Sequence, residues 1–267
     1  MAFILPQSGT SHQRLWLLSG TGEGPFLATS LLGKGWHLRV SVVSEAAARV
    51  YPSHPCLEIK IGALGAGEKL KAAISSWPCR WVIDATHPFA RQIHRELDQA
   101  CSDLQQPLLR YWRPELAPGK AKLLPNLAAL ANENLEGKVL FLALGARELS
   151  KALLHSRASD HCMRLLPSPE ALKTALTLGL SAEKIACLRP HQSKWAVEAA
   201  LCRQWGCDVV LTRQSGGNNE AHWHELCEAL NLQLLLLSRP PGAGFNIKEL
   251  MTQISQPRNC QELCKNE

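Results

Sequence analysis

Long apolar runs are missing from this sequence of 267 residues. A membrane-spanning helix needs about 18 or more consecutive apolar residues, and no run approaches that length. The hydrophobic fraction of 46% still suffices for a sizeable buried core. Residues 1–6 also lack the basic segment of a secretory signal. We therefore expect a cytoplasmic protein without a membrane partner.

Closely spaced cysteine pairs are absent as well, although the chain contains 10 cysteines. Zinc sites usually show Cys-x-x-Cys spacing, and disulfides are rare in the reducing compartment expected for a chain that is not exported. Buried free thiols and no metal site are therefore expected. The pair His222 and His224 does not change this, because side chains two residues apart on a helix point in different directions.

Runs of basic residues are also lacking, although the formal net charge is +6 at pH 7. The lysines and arginines are dispersed, and no nucleic-acid-reading motif accompanies them. The positive charge favours anionic partners in general. We expect a small molecule that carries carboxylates or phosphates, and no nucleic acid.

The sequence does show a regular alternation of strand and helix patterns. Strand, helix and strand in this order imply right-handed parallel crossovers. Residues 113–119 contain two prolines and a glycine, interrupt the alternation and are the best candidate linker. We predict an α/β protein of two Rossmann-like parallel-sheet domains with a cleft between them. The predicted domains are residues 14–115 and 120–240, with flexible termini at 1–13 and 255–267.

The most informative stretch is residues 81–90. An apolar strand pattern runs into Asp84, Thr86 and His87, and a charged helix pattern follows. Ligands of open α/β sheets bind at this carboxyl edge of the strands. Because Pro88 disfavours α-helical geometry in the residue before it, His87 is expected to stay extended at the edge. A purely structural histidine is the alternative, and Asp84 is expected to cap the turn through backbone N–H groups.

A glycine-rich turn follows the first strand pattern. Residues 19–24 read Ser-Gly-Thr-Gly-Glu-Gly, and Pro25 stands near the start of the next helix pattern. Backbone N–H groups at such a helix start suit a phosphate. The turn lacks the full Gly-x-Gly-x-x-Gly spacing, since Pro25 occupies the third glycine position. On the motif alone, a tight bend without a ligand is therefore an equal alternative.

Together these stretches resemble the precorrin-6A reductase family, the nicotinamide-dependent reductases of corrin-ring biosynthesis. The family's first turn reads Gly-Gly-Thr-any-Glu, which residues 19–23 match with serine at the first position. Its fourth strand ends in Asp-Ala-Thr-His-Pro-Phe-Ala, which residues 84–90 match without change. Further matches follow at residues 108–114, 212–217 and 238–240. The resemblance covers roughly residues 14 to 240.

The resemblance implies hydride transfer from NADPH to a C=C bond of the precorrin-6A macrocycle, followed by protonation, to give precorrin-6B. NADH is the alternative cofactor, and a tetrapyrrole with many acetate and propionate groups is the implied substrate of a monomer or homodimer. Cobalt-precorrin-6A is the alternative substrate, because a metal carried by the substrate needs no protein ligand. A nucleotide-binding regulatory protein without turnover and a methyltransferase are alternatives from other classes. The match at residues 84–90 opposes the methyltransferase.

The resemblance also implies which residues form the site. Thr86 and His87 are assigned to nicotinamide and substrate contacts as the catalytic pair, with proton delivery from His87 as a hypothesis. The assigned cofactor contacts are Gly20, Thr21, Gly22, Glu23 and Thr86. The assigned substrate contacts are His87, Pro88, Phe89, Arg113, Arg213, Ser215, Gly216 and Gly217.

The end of the second strand pattern bears on the choice between NADPH and NADH. Ser44 and Arg49 are assigned to the 2′-phosphate of NADPH, whereas Glu45 would repel a phosphate if it pointed inward. Alternatively, Glu45 complements a helix dipole and Arg49 lies on a solvated face. The sequence leaves both interpretations open.

Residues 212–217 lead from a strand into a helix, where successive N–H groups predict an anion-binding nest with Arg213 adding charge. The family commonly has lysine at the Arg213 position, followed by a small residue or asparagine, so Gln214 is a departure. Arg113 and Arg239 each precede a proline at the end of an apolar strand pattern. They either bind substrate carboxylates or form salt bridges at the sheet edge.

Overall fold

The computed structural model describes residues 10–20, 22–189 and 195–256. The chain separates into two compact units. The first holds the chain up to Arg113 and again from Pro240 onward, and the second is Pro114–Arg239. Thr21, assigned above to the cofactor, lies outside the described residues. So do most of the two terminal segments for which flexibility is predicted.

The first unit is built on a five-stranded parallel sheet of order β3-β2-β1-β4-β5. Its strands are β1 (Arg14–Ser19), β2 (His37–Val42), β3 (Leu57–Ile61), β4 (Trp81–Ala85) and β5 (Leu108–Arg110). Its helices up to this point are α1 (Gly24–Leu32), α2 (Glu45–Ala48), α3 (Glu68–Ser75) and α4 (Arg91–Asp103). Each strand was expected within a few residues of these bounds.

Both faces of this sheet are covered. Successive side chains of a strand point to opposite faces, so Leu15 and Leu17 of β1 pack in one core with α1, where Leu27 is fully buried. Trp16 and Leu18 pack in a second core with residues of α3 and α4. Burial on both faces explains why β1 and β4 read as nearly continuous apolar runs, whereas β2 and β3 carry polar residues at alternate positions.

The second unit contains a six-stranded parallel sheet of order β6-β11-β10-β7-β8-β9. Its strands are β6 (Lys122–Leu124), β7 (Val139–Leu142), β8 (Asp160–Leu165), β9 (Ile185–Cys187), β10 (Val209–Arg213) and β11 (Gln233–Leu237). Its helices are α5 (Ala146–His155), α6 (Pro169–Thr177), α7 (Ala196–Gln204) and α8 (Gly217–Leu230). The edge strand β6 is not among the predicted elements, because only Leu124 of its three residues is buried and the strand follows the candidate linker almost directly. The predicted fold class, two parallel-sheet α/β units, is confirmed.

The chain returns to the first unit after β11. Phe245 pairs with Tyr111 beyond the end of β5, and its N–H donates to the Arg110 carbonyl at 2.9 Å. The helix α9 (Ile247–Ser255) then buries Leu250 and Ile254 in the core that contains α1. The sequence predicts a helix here, but its local pattern does not show which unit the helix joins.

The cysteines of the described chain are all free thiols, and five of the eight have a pKa raised mainly by burial or by neighbouring thiols. In residues 10–20, 22–189 and 195–256, no group of three or more histidine, cysteine or acidic side chains is arranged to hold a metal ion. No helix within those ranges is long and apolar enough to cross a membrane.

Candidate active site

The strand order creates a switch point between β1 and β4. Strands β2 and β3 extend the sheet on one side of β1, and β4 and β5 extend it on the other. Connections that leave in opposite directions open a crevice at the carboxyl ends of two such strands, where ligands of doubly wound sheets bind. Gly20 follows β1 at this point. A Cβ on Gly20 would lie 3.7 Å from both the Thr86 Cα and the His87 nitrogen, so the two informative stretches of the sequence are neighbours.

Gly22 and Gly24 have opposite surroundings in the turn after β1. A Cβ on Gly24 would overlap the hydroxyls of Ser19 and Tyr51 and lie 2.8 Å from the Ser19 Cβ. A Cβ on Gly22 would have nothing within 4 Å. Packing inside the protein therefore requires glycine at position 24 but not at position 22. The space above Gly22 lies beside the N-terminus of the nine-residue helix α1, where N–H groups and the helix dipole favour an anion.

Tyr51 is a member of this site that sequence reasoning misses. It follows α2, hydrogen-bonds Ser19 at the end of β1, and has a pKa raised by burial despite that hydrogen bond. The tyrosine hydroxyl and Ser19 therefore pack directly against Gly24. A single tyrosine before Pro52 in a loop carries no periodic signal that points to this position.

Glu23 and Arg113, assigned from the sequence to cofactor and substrate, contact each other. The Arg113 Nη2 lies 2.8 Å from the Glu23 Oε2, and the Arg113 side chain is almost completely buried. Nearby Tyr111 has a pKa raised by burial and also by the Glu23 charge. Part of the Arg113 charge is thus offset within the first unit, so this arginine is a weaker anion site than the sequence suggests.

The residues assigned to a 2′-phosphate lie at the carboxyl end of β2. Ser44 is the N-cap of α2, and its Oγ accepts a hydrogen bond from the Ala47 N–H at 3.3 Å. Glu45 stands in the first turn of that helix, where a carboxylate complements the dipole. Ser44, Glu45 and Arg49 are all exposed. This geometry agrees with the structural interpretation of Glu45 and leaves Arg49 accessible.

Asp84 is a buried carboxylate that organises the end of β4. Its Oδ1 accepts hydrogen bonds from the Thr86 N–H at 3.0 Å and from the Thr86 hydroxyl at 2.7 Å. Its Oδ2 accepts one from the Arg110 Nε at 2.9 Å. The prediction that Asp84 caps this turn is confirmed. The buried charge is compensated by a guanidinium from β5, which the sequence does not indicate.

His94 is a second member of the site that the sequence does not reveal. It lies in the first turn of α4, and its Nε2 lies 2.9 Å from the Thr86 Oγ1 and 3.7 Å from the Asp84 Oδ2. Burial lowers the pKa of its imidazole below the usual value, although Asp84 opposes the shift. A histidine in a charged amphipathic helix is usually a surface residue. Only the packing of α4 against β4 brings it to the strand end.

His87 is held in a fixed tautomer by its own turn. Its Nδ1 accepts a hydrogen bond from the Phe89 N–H at 3.2 Å, and the two rings lie 5.7 Å apart at 49°. A neutral imidazole that accepts at Nδ1 carries its proton at Nε2. The half-buried His87, in its neutral form, therefore carries its proton at Nε2, and Pro88 behind it is buried.

The predicted anion nest of the second unit already binds a carboxylate of the protein. Gly216 and Gly217 have φ values of 68° and 72°, a region that favours glycine. The Gly216 N–H donates to the Glu220 Oε2 at 2.6 Å, and Glu220 is fully buried. Any substrate carboxylate at this N–H would have to displace that of Glu220. The sequence signal for Glu220 is only its position in the first turn of α8.

Arg213 and Gln214 are both held by neighbours in the second unit. The Arg213 Nη2 lies 3.6 Å from the Glu148 Oε1, and burial lowers the pKa of Arg213 while Glu148 opposes the shift. Gln214 accepts a hydrogen bond from the Arg239 N–H at 3.2 Å, and its own carbonyl accepts one from the Arg239 Nε at 3.2 Å. The glutamine that departs from the family pattern therefore joins the ends of β10 and β11. These two hydrogen bonds give Arg239 a structural role at the strand ends.

Comparison with known proteins identifies the family. Residues 14–260 match the family model described as Precorrin-6x reductase CbiJ/CobK. The chain belongs to this family. Its cobalt-precorrin-6A reductase relative from Synechocystis sp. is 32% identical over 248 residues, which cover 91% of this chain and 94% of the relative. A precorrin-6A reductase from Rhodococcus erythropolis is 32% identical over 243 residues, which cover 85% and 90%.

A solved structure supports the fold of this reductase family member. The structure of CobK precorrin-6A reductase aligns with a TM-score of 0.73 at 23% identity, covering 91% of this chain and 96% of that chain. At this identity the likeness establishes the fold alone. The family and the enzyme class predicted from the sequence, an oxidoreductase of cobalamin biosynthesis, are confirmed by the family match and these relatives.

Proposed function

We propose that this reductase uses NADPH to reduce a double bond of the precorrin-6A macrocycle, giving precorrin-6B. The family match over residues 14–260 carries the proposal. The arrangement of Gly20, Thr86 and His87 at the switch point of the first sheet supports it, because this is where a doubly wound sheet binds a dinucleotide.

The residues of the first unit fit a dinucleotide. Open space above Gly22 at the start of α1 suits a pyrophosphate. We assign the cofactor contacts to Gly20, Thr21, Gly22, Glu23 and Thr86. When bound, the reduced nicotinamide supplies the hydride. The protein binds and orients the reactants and excludes water from them.

NADPH is proposed over NADH because the basic side chain of Arg49 is exposed near the position where the 2′-phosphate would bind. Ser44 and Arg49 are exposed at the carboxyl end of β2. The accessible guanidinium of Arg49 can pair with a phosphate. Glu45 lies in the first turn of α2, beside Ser44.

His87 is our candidate for contact with the substrate and for proton delivery after hydride transfer. Its Nε2–H can donate to a carboxylate or to the reduced ring, since its Nδ1 is bound to the Phe89 N–H. Phe89 and Pro88 supply apolar surface beside it. Arg113 of the first unit is a further candidate for substrate carboxylates, as are Arg213, Ser215, Gly216 and Gly217 of the second.

Cobalt-precorrin-6A is the second candidate substrate. The Synechocystis relative that covers 91% of this chain is named a cobalt-precorrin-6A reductase, whereas the Rhodococcus relative is named a precorrin-6A reductase at the same identity. A metal carried by the macrocycle requires no ligand from the protein. We also propose a reducing, cytoplasmic location, since the cysteines in the described ranges are free thiols.

The deciding experiment measures oxidation of NADPH and of NADH by the purified protein with metal-free or cobalt-bearing precorrin-6A. We expect turnover with NADPH and one of the two macrocycles. Turnover with NADH alone would overturn the cofactor assignment. Binding of a nucleotide without oxidation in any combination would overturn the reductase proposal in favour of a regulatory role.

A further inference from the structure

The hydroxyl of Thr86 has a limited number of hydrogen bonds to offer a ligand. A threonine hydroxyl carries one proton and two lone pairs. Within the described chain, the Thr86 Oγ1 has two partners, the Asp84 Oδ1 at 2.7 Å and the His94 Nε2 at 2.9 Å. One position on the oxygen is therefore left. Whether Thr86 can donate or only accept a hydrogen bond at that position depends on which partner its hydroxyl proton is directed at.

The hydroxyl proton of Thr86 is directed at Asp84. Two oxygens 2.7 Å apart repel each other unless a proton lies between them. Asp84 forms an ion pair with the Arg110 Nε at 2.9 Å, and its carboxylate has no proton to donate. The Thr86 hydroxyl therefore donates to Asp84, and it has no second proton for another group.

His94 must then be the donor to Thr86. With its proton directed at Asp84, the Thr86 oxygen can only accept from His94, so the His94 Nε2 carries a hydrogen. The groups that face the imidazole are Asp84, Asp98 and Arg110, and the ring of Trp112 lies 6.4 Å away. Protonation of His94 at Nδ1 would leave the Nε2–H in place. The donor pattern therefore persists in both ionisation states.

We propose that Thr86 meets a bound ligand as a hydrogen-bond acceptor only, and that His94 is the positioning residue that enforces this. The ligand group must then be a hydrogen-bond donor, an N–H or an O–H. A carboxylate of the tetrapyrrole is disfavoured, because it would face a lone pair of Thr86 and the net negative charge of the group formed by Asp84, Asp98 and Arg110.

This inference rests on the proposed function and refines it. Of the two ligands of the proposed reaction, the nicotinamide carries a carboxamide with two N–H groups, whereas the acidic side chains of the macrocycle carry none when ionised. Among the donors of the dinucleotide, which also include the ribose hydroxyls, Thr86 is assigned to the carboxamide NH₂, a contact that would fix one face of the nicotinamide ring. His87, whose Nε2–H is a donor, remains the candidate for the substrate.

The test compares binding of NADPH with binding of its reduced 3-acetylpyridine analogue, in which a methyl ketone replaces the carboxamide. The analogue keeps the carbonyl oxygen and loses both N–H groups. Dissociation constants would be measured by calorimetry on wild type, Thr86→Val, Thr86→Ser, His94→Gln and His94→Phe. We expect wild type to prefer NADPH by roughly 3- to 10-fold, the range of one net hydrogen bond.

The variants separate positioning from general damage. Thr86→Val should bring the preference close to 1, and Thr86→Ser should keep it, because the serine hydroxyl has the same donor and acceptor capacity. His94→Gln should keep most of the preference, since the amide nitrogen of glutamine can stand near the position of Nε2. His94→Phe should lose it. A purely structural role for His94 would lower affinity for both dinucleotides equally and leave their ratio unchanged.

Several outcomes would overturn the inference. A wild-type protein that binds both dinucleotides equally, or a preference that survives Thr86→Val, would show that Thr86 does not meet the carboxamide. A change in the KM for the macrocycle with no change in the dinucleotide ratio would place Thr86 on the substrate instead. A wild-type protein that binds neither dinucleotide would overturn the proposed function itself and this inference with it.

Discussion

The Arg113 guanidinium and the Glu23 carboxylate form a 2.8 Å ion pair between the end of the β5 segment and the start of α1. From sequence, one side chain is assigned to the substrate and the other to the cofactor. Their contact makes the turn that holds Gly22 dependent on a residue far along the chain. It also couples the two assigned ligand contacts within a single unit.

Removal of Glu23 should therefore weaken the first unit. We expect Glu23→Ala to lower the free energy of unfolding by about 1–3 kcal/mol, because the buried Arg113 guanidinium loses its ion-pair partner. Glu23→Gln keeps the size and polarity of the side chain and should lose less. Urea denaturation followed by tryptophan fluorescence measures both. An alanine variant as stable as wild type would show that the pair contributes nothing to folding.

Gly22 and Gly24 should differ sharply when each is replaced by alanine. Gly24→Ala forces a methyl group into Ser19 and Tyr51, so it should cost about 1–3 kcal/mol of stability. Gly22→Ala adds a methyl group to open space, so stability should stay within about 0.5 kcal/mol of wild type. NADPH affinity should nevertheless fall for Gly22→Ala, because the methyl group occupies ligand space. Unchanged affinity in a folded Gly22→Ala variant would remove Gly22 from the cofactor site.

The stability of the protein should decline as pH falls below about 6.5. Burial lowers the pKa of His94 and of His161 in the folded state, so the unfolded chain binds more protons than the folded one between the folded and unfolded pKa values. Stability is then complete above the unfolded pKa and is lost as pH drops towards the folded pKa.

His94→Gln provides the control for that pH dependence. It removes the titrating group. The unfolding free energy of the variant should therefore fall less than that of wild type as pH drops from 7 to 5. Denaturation midpoints at each pH give the curve. Parallel curves for the two proteins would mean that His94 titrates alike in both states.

Thiol reactivity should divide the cysteines by burial. Burial raises the pKa of Cys79 to about 11 and that of Cys227 to about 12, whereas Cys187 is exposed. Iodoacetamide, which reacts with thiolates, should modify Cys187 before Cys79 and Cys227, which should react only after unfolding. Peptide mass spectrometry over a time course reads the order. Rapid modification of Cys79 or Cys227 in the native protein would contradict their packing.

Strand patterns of the sequence coincide with ten of the eleven sheet strands in the part of the chain that the structure describes. The most apolar of them, such as β1 and β10, are buried on both faces. The edge strand β6 (Lys122–Leu124) is missed because Leu124 is the only buried residue of its three. The helix α9 is visible as a pattern, but its membership of the first unit depends on Leu250 and Ile254 meeting the core beside α1. No local signal encodes that long-range contact.

The sequence by itself determined the fold class, the family and the turn that Asp84 caps, since each depends on neighbouring residues or on the motif at residues 84–90. Only the tertiary structure decided that the His94 imidazole lies within hydrogen-bond distance of the Thr86 hydroxyl and that the nest N–H of Gly216 binds Glu220. It likewise decided that Arg110 neutralises Asp84. These contacts join residues on different elements or different turns. Their charges and hydrogen bonds become specific only when packing has fixed the distances between the groups.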